Sequence, residues 1–226
     1  MNCWICGDDG KTGEHLVKAS DLKVLFNNKT NKKPFYFHKE KRNPQKLQNV
    51  ANSKFVKSEA KLCAHCNGAK TQPFDNDWQK LSEYVRKNYH QLRANRRIKV
   101  KNVFPGRTKQ AALNVHLYFA KLYGCRATSE ELPIDIPSLA KAINENKANP
   151  KLYIRLEVWD PKTKIAGVSK ITRHTAGSVS DSFWYYVIDN FVVCVSFNDF
   201  KASNRINKSH WHPQNSGKYI EFKKRT

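Results

Sequence analysis

Two Cys-x-x-Cys pairs, Cys3-Trp-Ile-Cys6 and Cys63-Ala-His-Cys66, constrain this chain more than anything else in it. One such pair is a weak signal, but two supply four thiolates, the complete ligand set of a closed tetrahedral zinc site. That site would tie the first residues of the chain to the start of a helix about sixty residues later. It would also bring Glu14-His15 close to Asn67. Cys3, Cys6, Cys63 and Cys66 are therefore the expected structural zinc ligands, and His65 between the second pair would be a redundant fifth. Cys125 and Cys194 read as ordinary buried thiols.

Composition enters through charge. The 226 residues carry 41 Lys+Arg against 19 Asp+Glu, a formal net charge of +22. This excess exceeds what solubility asks for and points to a polyanionic partner. A chain of this length buries a core without staples, so size does not demand the cysteines. The opening Met1-Asn2-Cys3 shows no basic-then-apolar leader, and no apolar run reaches about eighteen residues. The expectation is a cytoplasmic protein with no membrane span, in a reducing compartment that favours metal over disulfide.

Taken in order, residues 1 to 25 read as a zinc-knuckle hairpin. Nine basic residues and the single acid Glu40 fall between Asn28 and Lys57, around a strand at Phe35-Tyr36-Phe37. A turn and helix start follow Leu62, with Pro73 limiting the first piece and Asp75 or Asp77 capping the next. Trp78, Leu81, Val85, Tyr89 and Leu92 recur at helical spacing, predicting one amphipathic helix to about Arg97. From Lys80 to Arg107 nine basic residues face one acid, Glu83, so Arg93, Arg96, Arg97, Lys99 and Lys101 are expected nucleic-acid contacts. Thr108 is the expected cap of a helix over Ala111 to Tyr123 closed by Gly124, and a short helix follows Pro137. Beyond Asn149-Pro150 the period becomes alternating: Leu152, Ile154, Leu156 and Val158 share a face, and Phe183 to Phe197 form a hairpin hinged at Asp189-Asn190. Trp184, Tyr185, Tyr186 and Phe191 are assigned to the core, and His210-Trp211-His212 to a solvated segment. His38, His90, His116 and His174 are assigned packing or surface roles.

Phosphodiester hydrolysis needs a nucleophile made from water and a cation to neutralise charge on the phosphate. An imidazole titrates near neutrality, so His15 can take a proton from water. Glu14 and Asn67 offer hard oxygens suited to magnesium or manganese, and Lys70, three residues beyond Asn67, can hold a phosphate.

These residues resemble the HNH endonuclease family, whose ββα-metal motif reads Cys-x-x-Cys, Asp-His or Glu-His, then Cys-x-x-Cys-Asn-x-x-Lys. The match covers about the first seventy-five residues. The resemblance implies His15 as general base, Glu14 and Asn67 as ligands of a catalytic magnesium or manganese ion, and the four cysteines as holders of structural zinc. The family usually has Asp where this chain has Glu14. Its middle Asn, which braces the hairpin and orients the His, falls on Ser58, a weaker brace, with Asn43, Asn49 and Asn52 as candidate substitutes.

The expected fold is α+β, with an N-terminal zinc-stapled ββα-metal nuclease module (1–76), a basic helical segment (77–149) and a small antiparallel β-rich domain for DNA recognition (150–226). The expected activity is metal-dependent DNA cleavage, as in a restriction, host-defence or mobile-element nuclease. A non-catalytic zinc-containing nucleic-acid-binding protein is the rival. The expected partner is double-stranded DNA, met by a homodimer, because a double-strand cut normally takes two active sites.

Overall fold

The structure, a computed structural model, describes residues 1–26, 35–37, 45–47, 56–161, 164–175, 178–198, 210–215 and 217–225. Strand β1 (Thr12–His15) pairs antiparallel with β4 (Lys57–Leu62), aligning Thr12 with Leu62, Gly13 with Lys61 and His15 with Lys57. A bulge between Gly13 and His15 twists the pair, and a Cβ on Gly13 would sit 3.0 Å from the Ser58 carbonyl oxygen. Between these strands come α1 (Ala19–Phe26) and the antiparallel pair β2 (Phe35–Phe37) and β3 (Gln45–Leu47), so the strand expected at 35–37 is present. Asn43, Asn49, Asn52 and most of the basic insertion lie outside the described residues.

After β4 come α2 (Ala64–Asn67), α3 (Gln72–Lys87) and α4 (Tyr89–Asn95). Pro73 begins α3 rather than limiting it, because a first-turn proline gives up no hydrogen bond and presets φ; Asp75 and Asp77 lie inside the helix. The single helix expected to Arg97 is broken at Asn88, whose side chain donates to the Tyr84 carbonyl (2.8 Å). Arg96 then ends α4 in the left-handed region, φ 50°. Strand β5 (Arg97–Lys99) and α5 (Val100–Val103) lead to α6 (Thr108–Ser129). α6 runs through Gly124 instead of stopping there. α7 (Ile136–Glu145) is capped by Asp135, whose carboxylate accepts from the Ser138 N–H at 3.0 Å.

The sheet contains β6 (Leu152–Val158), β7 (Ala166–Val168), β8 (Thr172–Thr175), β9 (Ser178–Ile188), β10 (Phe191–Asn198) and β11 (Tyr219–Lys224). Its order is β5-β11-β6-β10-β9-β7, with β8 also on β9. All neighbours are antiparallel except β11 and β6, which run parallel. The β9–β10 hairpin turns at Asp189-Asn190 as expected. The sheet crosses the expected boundary at 149/150, since β5 is its edge strand.

One apolar core runs from the knuckle to β11. Trp78 on α3 lies at its centre, stacked on Tyr118 and Phe191 (centroids 5.4 and 5.7 Å) and edge-on to Phe119 and Tyr186. That arrangement joins α3, α6, β9 and β10 through the ring geometries aromatic pairs prefer. Trp184, Tyr186, Phe191, Cys125 and Cys194 are buried as expected, and Tyr185 is half-buried.

The segment at 210–212 is not solvated. Trp211 forms a β-bridge with Ile154, and His212 is buried with Nε2 3.1 Å from the Asn149 carbonyl oxygen. The Asn149 N–H donates to Nε2 of the buried His116 (3.0 Å), so two histidines hold the backbone of one residue. A polar tripeptide carries no periodicity to announce this.

Candidate metal centre and adjoining site

The turn after Cys3 is built by backbone bonds: the Cys3 N–H donates to Asp8 O (2.7 Å) and the Gly7 N–H to Cys3 O (2.8 Å), with Gly7 at φ 85°. Cys63 caps α2, and its Sγ accepts from the Cys66 N–H at 3.3 Å. The sulfur atoms of Cys3, Cys6, Cys63 and Cys66 all lie within 4.8 Å of one another, with Cys6 Sγ 3.6 Å from Cys63 Sγ. All four are free thiols, three of them buried. A zinc–sulfur bond of about 2.3 Å puts tetrahedral sulfurs about 3.8 Å apart, so the donor set fits a zinc ion.

Electrostatics agree. Burial pushes the Cys3 thiol up, but hydrogen bonds from backbone at Cys63, Cys6 and Ile5 outweigh it and bring the thiol down to about 7. At Cys6 a backbone bond at Asp8 favours the thiolate, yet burial, the Asp8 carboxylate and Cys3 prevail and push it up to about 11. Burial, Cys6 and Cys63 push Cys66 well above the ordinary range. Four sulfurs this close cannot all be anionic without a cation between them, and a divalent ion would supply that cation.

The knuckle is anchored to the body of the fold. The Trp4 indole lies over Gly124 of α6 and donates from Nε1 to Cys125 Sγ (3.3 Å). A Cβ at Gly124 would fall 2.3 Å from Trp4, so the helix needs glycine there. Lys70 Nζ bonds Asn144 Oδ1, and Asn144 Nδ2 in turn holds the Ile5 carbonyl oxygen (2.9 Å).

β1 carries Glu14 and the half-buried His15, while α2 carries Asn67. Asn67 Nδ2 donates to Thr12 Oγ1 (3.0 Å), which donates to the Leu62 carbonyl oxygen (2.8 Å), so Asn67 braces the β1–β4 pair. Glu14 is buried, and its Oε2 accepts from Lys121 Nζ at 3.0 Å. Lys121 also reaches Asp75 Oδ2 (2.9 Å) and Thr71 Oγ1 (3.3 Å), and Lys18 reaches Asp75 Oδ1 (3.4 Å). Burial works against the ammonium, but Glu14 and Asp75 more than compensate, so the Lys121 pKa is raised. Ser58 does not brace His15: its hydroxyl lies 2.8 Å from Ser129 Oγ and donates to Cys125 O (3.3 Å), facing α6.

Lys121 is the site residue that sequence reasoning missed. Its signal was a lone cation in the run Phe119-Ala-Lys-Leu-Tyr123, where a buried ammonium demands carboxylate partners. The expected basic surface divides in two. Arg86 pairs with buried Asp21 (2.5 Å), and Arg107 makes a two-pronged pair with buried Asp77 (2.6 and 2.8 Å), so both serve the fold. Arg96, Arg97, Lys99 and Lys101 are exposed, as is Arg93, which pairs with exposed Asp160 (2.9 Å). No helix among the described residues is long and apolar enough to cross a membrane. No family model, no curated protein and no solved structure matches this chain.

Proposed function

We propose that this protein is a zinc-stapled, metal-dependent DNA endonuclease of HNH type. The observation that carries the reading is the order of the hairpin unit. Antiparallel β1 and β4 are followed directly by α2, and four sulfurs clamp the base, so Glu14, His15 and Asn67 are carried by one small unit. In this reading zinc would be held by Cys3, Cys6, Cys63 and Cys66 and would fix the unit's geometry. A magnesium or manganese ion would use Glu14 and Asn67 and supply charge neutralisation at the phosphate. His15 takes the proton from water. A net charge of +22 favours double-stranded DNA as substrate, and a homodimer would place two such units on the two strands.

One observation favours a second reading, a zinc-containing nucleic-acid-binding protein without cleavage. Glu14 already has a cation, Lys121, at 3.0 Å, which competes with a metal ion for its carboxylate. Plasmid incubated with purified protein and magnesium, beside a chelator control, separates the two. His15→Ala should cut the cleavage rate at least about a hundredfold with zinc content and DNA affinity retained. Equal cleavage by His15→Ala would end the HNH assignment.

A further inference from the structure

Away from the cysteines, a cleft of about 720 Å³ opens between α3, α4, β5 and β11. That size falls within the roughly 300 to 1,000 Å³ of small-ligand sites. Its apolar floor includes the buried side chains of Leu92 and Ile98. Gln91, Asn95 and Asn102 line it with side-chain amides that have no hydrogen-bond partner among the described residues. Tyr219, 38% exposed, forms a wall, and the Arg97 guanidinium stands over its ring at 5.1 Å. Lys99, the cross-strand neighbour of Tyr219, adds a second cation. No lining residue is acidic.

Each feature has a counterpart in one ligand. Amides present a donor and an acceptor side by side, as the edge of a nucleobase requires. An exposed aromatic ring backed by an arginine offers a stacking surface, and flanking cations attract the phosphates on either side of the base. A base stacked inside a duplex shows its faces to its neighbours, so only an unpaired one can use such a wall. We propose that this cleft binds an unpaired nucleotide of a nucleic-acid strand, stacking its base on Tyr219, with the amides reading the base edge and Arg97 and Lys99 holding phosphate. The proposal rests on the reading of the partner as nucleic acid and is independent of cleavage.

Fluorescence anisotropy with a labelled ten-nucleotide oligothymidine, its oligouridine counterpart and a blunt duplex of equal length tests it. The single strands should bind. Tyr219→Leu should weaken them by about 5- to 150-fold, the range of one stacked base, while Tyr219→Phe stays near the parent. Lys99→Gln should lower the salt slope on single strands by about 0.7. Comparing the two single strands shows whether the ribose strand or the deoxyribose strand, which also carries the thymine methyl, binds more tightly. Single strands bound as tightly by Tyr219→Leu as by the parent would overturn the proposal. So would an equal loss on the duplex, which has no unpaired base to stack. Thermal melting of both Tyr219 variants checks that the edge strand is intact. Plasmid cleavage by the same variants keeps the outcomes apart, because the HNH assignment fails on His15→Ala and the cleft on Tyr219→Leu.

Discussion

Lys121 is buried and charged, and its partners Glu14 and Asp75 come from β1 and α3, so one ammonium joins three elements. Removing one member of a buried ion pair strands the other, at a cost of about 3 to 5 kcal/mol. Lys121→Met should therefore destabilise by about that much in urea unfolding, and adding Glu14→Gln should restore a large part of the loss. Additive effects of the two substitutions would mean that the pair is not coupled. The histidines around Asn149 give a second expectation. Nε2 of His116 accepts from the Asn149 N–H, and Nδ1 of His212 accepts from the Gln214 N–H (3.3 Å), so a proton on either acceptor breaks a bond. Burial holds both rings below the ordinary histidine range, His116 further pressed down by His212. The unfolded chain thus takes up these protons more readily than the folded one. Their contribution to stability is complete above about pH 6.5 and is lost as pH falls below it. With zinc saturating, the urea midpoint of the parent should drop between pH 7 and pH 5, and His212→Gln should flatten that drop. An unchanged slope would assign the acid sensitivity to other groups.

Gly124 shows at the element scale why some helices were legible in the sequence and others were misread. Glycine after a helical run reads as a stop, but here it is a mid-helix notch for Trp4, a residue 120 positions away. Gly124→Ala should accordingly destabilise by about 1 to 3 kcal/mol, although alanine is the better helix former by about 1 kcal/mol. A stabilised variant would mean that Trp4 packs elsewhere. The strands of the β9–β10 hairpin and the inward face of β6 could be read directly, because alternation and turn residues are local signals. The cysteine cluster was legible for the same reason: ligand type and spacing are printed in the chain. What local pattern does not encode is partnership. Nothing near Arg86 or Arg107 announces Asp21 or Asp77, so both looked like part of a basic surface. Nothing near Glu14 announces Lys121, and nothing near His212 announces Asn149. Breaks set by side-chain bonds, such as Asn88 to Tyr84, were invisible for a similar reason.

Across the whole molecule the cysteine knuckle and the body share one core through Trp4, so metal and fold should stand or fall together. Elemental analysis of dialysed protein should find one zinc per chain. Stripping it, or making Cys63→Ser, should lower the melting temperature of the entire domain in a single transition, since structural zinc contributes roughly 10 to 16 kcal/mol in small sites. An independent early transition would instead mark the knuckle as a separate unit. The sheet has a different whole-chain property. β5 ends at Lys99, whereas β11, which bridges it to β6, begins only at Tyr219. A ribosome adding about 5 to 20 residues per second needs about 6 to 24 seconds to make the 120 residues from Val100 to Tyr219. During that interval β5 has no strand to join, and β6, once paired with β10, still has one open edge. The cleft that takes Arg97 and Lys99 from β5 and Tyr219 from β11 does not exist in the nascent chain until that time has passed. A synthesis that stalls before Tyr219 would leave a chain without this cleft.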